Sequence, residues 1–154
     1  MLLVSVESPY GEIGLCNVHL PSPRYGLCEV VDRHTLLAPA RTAQLGRETT
    51  NREDQSAAIE KAAAELLPDA IVGGDFNMPT DSAIYRRDWS GYSNAFSSSG
   101  LGFGYTILSP YRGCPFGIRI DHVLCGPSWA PVTAWVGPDL GSDHLPLIAD
   151  LRRR

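Results

Sequence analysis

Apolar and polar positions change their period several times along the chain, and each change marks an element. Residues 2–7 alternate loosely and are rich in aliphatics. Ser8-Pro9-Tyr10-Gly11 is a turn signal, and residues 12–20 (EIGLCNVHL) read as a second strand, so a hairpin is expected first. Pro21-Ser22-Pro23 ends it, and residues 24–47 keep no dominant period. Thr49 or Thr50 then offers an N-cap, with Glu53 three residues beyond Thr50 as in a capping box. Ala58, Ile59, Ala62, Ala63, Leu66 and Leu67 hold helical spacing until Pro68 stops it. Residues 69–73 (DAIVG) follow as a short buried strand, and Asp81 or Ser82 caps a short helix to Trp89. Residues 90–117, rich in Gly, Ser and aromatics, read as loop with one strand near 105–108. Residues 118–125 (IRIDHVLC), 132–136 and 145–151 (LPLIADL) read as strands.

This order, with no repeat, low-complexity tract or linker, describes one domain over 1–154, long enough for a real core. Hydrophobic residues at 44% against 19% charged place it among globular chains rather than disordered ones. Fifteen Gly and twelve Pro imply many turns between short elements, hence a loop-rich fold containing β-sheet. The net charge of −4 argues against a basic surface that grips long duplex DNA; the one basic run is Arg152, Arg153 and Arg154. A small cleft built from carboxylates would itself pull the total down. Cys16, Cys28, Cys114 and Cys125 contain no C-x-x-C pair, which excludes the usual zinc spacing, and they read as reduced thiols rather than two disulfides. The first residues have no basic stretch of a signal peptide, and no run approaches the ~18 apolar residues of a membrane span. A cytoplasmic protein is expected.

Four polar clusters stand at or beside strand ends: Asn17-Val18-His19, Gly74-Asp75-Phe76-Asn77, Ile120-Asp121-His122 and Ser142-Asp143-His144. Strand ends feeding loops are where a rigid scaffold can hold functional groups. In GGDFN, two glycines permit close backbone approach, Asp75 supplies a carboxylate and Asn77 an amide two residues on. That pair suits a hydrated metal or a phosphate with its attacking water; it equally suits an Asp-Asn turn bonded to its own backbone. Asp121 is an isolated charge in an apolar run and needs a partner: a His, or an Arg such as Arg119. His122 points away from Asp121 on a strand and is left out of the site. Ser142, Asp143 and His144 suggest a serine-hydrolase triad at first sight. Adjacent strand residues point oppositely, however, and no G-x-S-x-G elbow exists.

NVHL (17–20), GDFN (74–77), RIDHVL (119–124) and SDHLPL (142–147), in this order, resemble the later motifs of the endonuclease/exonuclease/phosphatase superfamily, which includes the DNase I-like nucleases. The resemblance runs from about Leu2 to Leu151. It implies an α+β fold, a DNase I-like αββα sandwich of two mostly antiparallel sheets. It further implies a Mg²⁺-dependent hydrolase (Mn²⁺ as substitute) in which water attacks the phosphorus of a phosphodiester. By position, Asp75 resembles the residue that positions or deprotonates the water, and Asn77 the one that holds that water and a phosphate oxygen. His144 resembles the phosphate-contacting acid/base, Asp121 the residue orienting it, His19 a donor to the leaving oxygen, and Asp143 a carboxylate near the metal. Whether Asp75 or His144 is the base stays open.

The departure is at the start: the family's opening strands, one with an Asn and one with a metal-binding Glu, have no counterpart here. Weak metal binding, impaired activity and exposed apolar surface open to association are therefore expected. Nucleic acid stands ahead of lipid as substrate, with a lipid or small-molecule phosphoesterase and a non-catalytic binding remnant as alternatives. Tyr92, Phe96, Phe103, Tyr105, Tyr111 and Phe116 are candidates for base stacking or for core filling. Arg24, Arg47, Arg52, Arg112 and Arg119 are candidates for phosphate contacts or plain surface charge.

Overall fold

The structure, a computed structural model, describes residues 1–9, 11–23, 39–111 and 114–154. Strands β1 (Leu2–Ser8) and β2 (Gly11–His19) form the expected hairpin, paired antiparallel from Leu2↔Asn17 to Ser8↔Gly11. Helix α1 (Pro39–Ala64) then crosses over to β3 (Ala70–Asp75), which pairs parallel with β2. The expected cap at Thr49 or Thr50 is corrected: both lie inside α1, which begins ten residues earlier. The described residues of its first half are mostly exposed, so no apolar period marks their helicity. Ile59 and Ala63 are buried as the stripe required, while Ala58 and Leu67 are exposed.

Helix α2 (Ala83–Asp88) matches the expected short helix. Residues 90–117 hold more structure than the loop expected from sequence: β4 (Ser93–Asn94), α3 (Ala95–Ser99) capped by Asn94 Oδ1 accepting from Ser97 N at 3.0 Å, and a hairpin of β5 (Ile107–Tyr111) and β6 (Cys114–Ile118). Pro110 and Pro115 stand opposite each other in that hairpin, and proline is what hides a strand from sequence reading. The strand expected over 118–125 is broken in two, with β7 starting at Asp121 (Asp121–Cys125). β8 (Trp129–Val136) and β9 (Leu147–Arg153) close the chain.

One sheet has the order β1-β2-β3-β7-β4, and β8-β9 form a second. Cys16, Val18, Val72 and Leu124 line one face of the large sheet and make a core with Ile59, Phe76, Trp89 and Leu20. Val123, on the opposite face, packs with Phe96, Ala134, Val136, Leu147, Ala149 and Leu151 of the second sheet and α3. This second contact covers only the β7 end. Leu2, Val4 and Val6 pair with Asn17, Leu15 and Ile13 on that face of the hairpin and remain 60%, 41% and 40% exposed. Among the described residues, β9 pairs with β8 alone. Cys16 and Cys125 are buried free thiols, and burial raises both above the ordinary thiol range; Cys28 lies outside the described residues.

Candidate active site

Strand register brings three of the four motifs to one rim. His19 and Asp75 are partners where β2 and β3 end, and Asp75 is the partner of Asp121 where β7 begins. Gly74 makes this junction close. Its φ is +138°, and a Cβ there would lie 2.0 Å from the Val18 carbonyl oxygen, so no other residue fits. The fourth motif arrives on the loop before β9, where Leu145 N donates to Thr106 O at 2.7 Å. Thr106 also anchors the start of β7, its Oγ1 accepting from Ile120 N at 3.2 Å and Asp121 N at 3.3 Å.

On that rim the His144 Nδ1 stands 2.8 Å from Asp121 Oδ2. The carboxylate can only accept, so Nδ1 carries the hydrogen and Nε2 faces away from Asp121. Asp75, Asp121 and His144 each offer a ligand atom within 4.8 Å of the others. The two carboxylates suit a hard divalent cation, which would fill its remaining positions with water or phosphate oxygens, while the His144 Nδ1–H stays committed to Asp121. A groove of about 340 Å³ opens at Asp121 and His144, lined also by Gly74, Leu140, Pro146 and Leu147.

Asp75 is gripped by Asn77, whose backbone N–H donates to Oδ1 and whose Nδ2 donates to Oδ2, both at 2.8 Å. Nδ2 also donates to Leu20 O at 2.8 Å. Both amide hydrogens of Asn77 are thus engaged, and its side-chain oxygen is the polar atom left for a ligand. Burial raises the Asp75 carboxyl above the ordinary range; the Asn77 backbone bond pulls it down, and the Asp121 charge raises it again. His19 is largely exposed, its Nε2 3.7 Å from Asp75 Oδ2.

Asp143 stands apart from the cluster: it is exposed, and its Oδ1 accepts from the Ser142 hydroxyl at 3.5 Å. The Ser142 oxygen takes the His144 backbone N–H at 3.2 Å while the imidazole turns to Asp121, so these three residues form no serine triad.

A model of the endonuclease/exonuclease/phosphatase family matches residues 5–144. The chain belongs to this family.

Members of the endonuclease/exonuclease/phosphatase family are hydrolases. Among solved structures, the chain is similar to a family member from Beutenbergia cavernae (20% identity, TM-score 0.66, covering 98% of this chain and 38% of that one). It is also similar to D. rerio TDP2 complexed with single strand DNA product (18%, 0.64, 97% and 60%) and to a mannosyl-6-phosphatase from Bacteroides thetaiotaomicron (20%, 0.52, 92% and 51%). The shared fold is the DNase I-like α+β sandwich. The chain spans 38% to 60% of the length of these three structures. No curated protein matches it.

In this family member several residues read as candidates from sequence lie elsewhere. Tyr92 and Phe96 are core residues, whereas Phe103, Tyr105 and Phe116 are exposed, with Phe103 and Tyr105 stacked at 5.2 Å. Arg119 lies over the Phe96 ring at 4.6 Å and donates to Ser97 Oγ at 3.0 Å. Arg47 is exposed, and Arg24, Arg112 and the side chain of Tyr111 lie outside the described residues. His122 is a core residue, as its strand position implied. Its Nε2–H donates to Met78 O at 2.9 Å, its Nδ1 accepts from Asn94 Nδ2 at 3.3 Å, and burial lowers it to about 4. Thr106, which anchors the rim, has no place among the sequence candidates, and Arg52, a candidate phosphate contact or surface charge, instead donates to the Asn77 carbonyl. A lone threonine in a loop and an arginine on a helix carry no distinguishing pattern, and only the double glycine signalled a close approach.

Proposed function

We propose that this chain carries the phosphate-handling side of a Mg²⁺- or Mn²⁺-dependent phosphodiester hydrolase. The observation carrying this reading is the convergence of Asp75, Asp121 and His144, with donor atoms within 4.8 Å beside an open groove. Asp75 and Asp121 would hold the cation, with Asp143 as a further carboxylate on the same loop as His144. When bound, the cation neutralises charge on the phosphoryl oxygens.

The chain's own residues divide the remaining work. Asp75 takes a proton from the attacking water as its oxygen bonds to phosphorus, its carboxylate aimed by the two Asn77 bonds. The Asn77 side-chain oxygen accepts the water's other hydrogen. Asp121 fixes the His144 ring so that Nε2 faces the phosphate, and His19 supplies the proton to the leaving oxygen as the P–O bond breaks. Nucleic acid is the preferred substrate class, supported by the exposed Phe103–Tyr105 stack.

The test is hydrolysis of single-stranded DNA and of a chromogenic phosphodiester, with Mg²⁺ or with EDTA, by the natural polypeptide that contains this chain. Activity should require the metal, and Asp75→Ala should lower kcat by about 100-fold or more. Equal activity in Asp75→Ala, or indifference to EDTA, would overturn the assignment.

A further inference from the structure

The loop following β3 is held by two donors that stand outside the rim. Arg52 of α1 donates Nη2 to Asn77 O at 2.9 Å, and His122 of β7 donates Nε2 to Met78 O at 2.9 Å. A third bond, Phe76 N to Ile120 O at 2.9 Å, fixes the peptide just before. The Asp75–Phe76, Asn77–Met78 and Met78–Pro79 peptides are therefore pinned from separate elements. Between them Asn77 adopts φ +50°, the left-handed region that non-glycine residues seldom enter and that asparagine tolerates best. In this conformation its N–H and its amide reach the two oxygens of Asp75.

Arg52 is placed at a cost. It is half-buried, no carboxylate lies within ion-pair distance among the described residues, and its Nε is buried without an acceptor. A half-buried cation lacking a counter-ion loses hydration without an ion pair to offset it. Among the described residues, the bond it makes is to the turn that aims Asp75.

We propose that Arg52 is a positioning residue: its grip on the Asn77 carbonyl holds the left-handed turn that fixes the Asp75 carboxylate, with His122 holding the next carbonyl. The clamp is a structural claim; its bearing on turnover rests on the hydrolase reading of Asp75.

Amide hydrogen exchange by NMR on the whole chain tests it. In Arg52→Met the Asn77 backbone amide should exchange about tenfold faster or more, while Val72 and Leu124 in the sheet change by less than about twofold. Arg52→Lys, with a single nitrogen and a shorter reach, should accelerate Asn77 by about threefold. Asn77 exchange unmoved in Arg52→Met, or acceleration equal to that of Val72 and Leu124, would overturn the clamp. Should Arg52→Met fail to fold, the same comparison in Arg52→Lys decides. In the hydrolysis assay Arg52→Met should lower kcat about tenfold or more with KM within about twofold, the pattern of a misaimed group. A wild type without activity would sink the hydrolase reading and leave the exchange result to judge the clamp.

Discussion

Replacing Asp121 by Asn should leave stability nearly unchanged while activity falls. Asp75 and Asp121 are register partners on antiparallel strands, and like charges placed so destabilise by about 0.2–1 kcal/mol. Their side chains are only 20% and 19% exposed, so water screens the repulsion less than at an open surface. Against this, Asp121 accepts the His144 Nδ1–H at 2.8 Å, a bond to a charged group of about 1.5–3 kcal/mol that an Asn oxygen retains at about 1 kcal/mol. The two effects nearly cancel, leaving a net change within about 1 kcal/mol of zero. Removing the Asp121 charge should also lower the Asp75 carboxyl, since that charge helps raise it. Activity should fall about 10–100-fold, because Asn can also present its NH₂ to Nδ1 and admit the wrong tautomer. Urea unfolding followed by tryptophan fluorescence gives the first quantity, and phosphodiester hydrolysis with Mg²⁺ gives the second. A stability loss beyond about 2 kcal/mol would mean that Asp121 is chiefly a structural ion-pair partner, and activity within about twofold of wild type would deny it any part in orienting His144.

Other outcomes follow from the packing. Gly74→Ala combines a left-handed φ with a Cβ 2.0 Å from Val18 O; strain and overpacking together should destabilise by about 2–6 kcal/mol, and a urea midpoint near wild type would contradict the register of β2 and β3. Ser56→Ala leaves the Trp89 indole N–H, now donating to Ser56 Oγ at 3.0 Å, unpaired in a fully buried setting; a loss of about 1–3 kcal/mol is expected in the same assay, and a neutral result would mean that water replaces the hydroxyl. His122 is held near 4 by burial, against 6.5 for a free histidine. The native chain stays neutral there while the unfolded chain takes up a proton, so its contribution is complete above 6.5, falls as pH drops toward about 4, and totals roughly 3 kcal/mol. His122→Asn should flatten the pH dependence of urea stability in that window, whereas an unchanged slope would place the acid sensitivity elsewhere.

Much of the fold is legible where one face of an element is buried. The alternation of β1 and β2, the Ile59–Ala63 stripe and the apolar β3 all write their burial into the residue pattern. The first half of α1 carries no such mark because its described side chains meet water, and the β5–β6 hairpin conceals itself behind paired prolines. Within the candidate site, Asp75, Asp121 and His144 could be picked out as charged or ionisable residues interrupting apolar strand ends. Their convergence is implied by the family resemblance and not by the residue pattern itself, because it depends on the parallel pairing of β2 with β3 and on the Thr106 contact to the His144 loop. The inward turn of Arg52 was equally hidden, since arginine on a helix defaults to solvent.

The rim's composition also sets when it can exist during folding. His19, Asp75, Asp121 and His144 meet only after a parallel crossover and an antiparallel closure have both formed, and contacts so distant along the chain pay their loop entropy before they return any stabilisation. The candidate cation cluster should therefore be among the last features to mature. A folding intermediate with β1, β2 and α1 in place would still have no affinity for metal, which makes binding of a divalent ion a reporter of the finished chain rather than of its secondary structure.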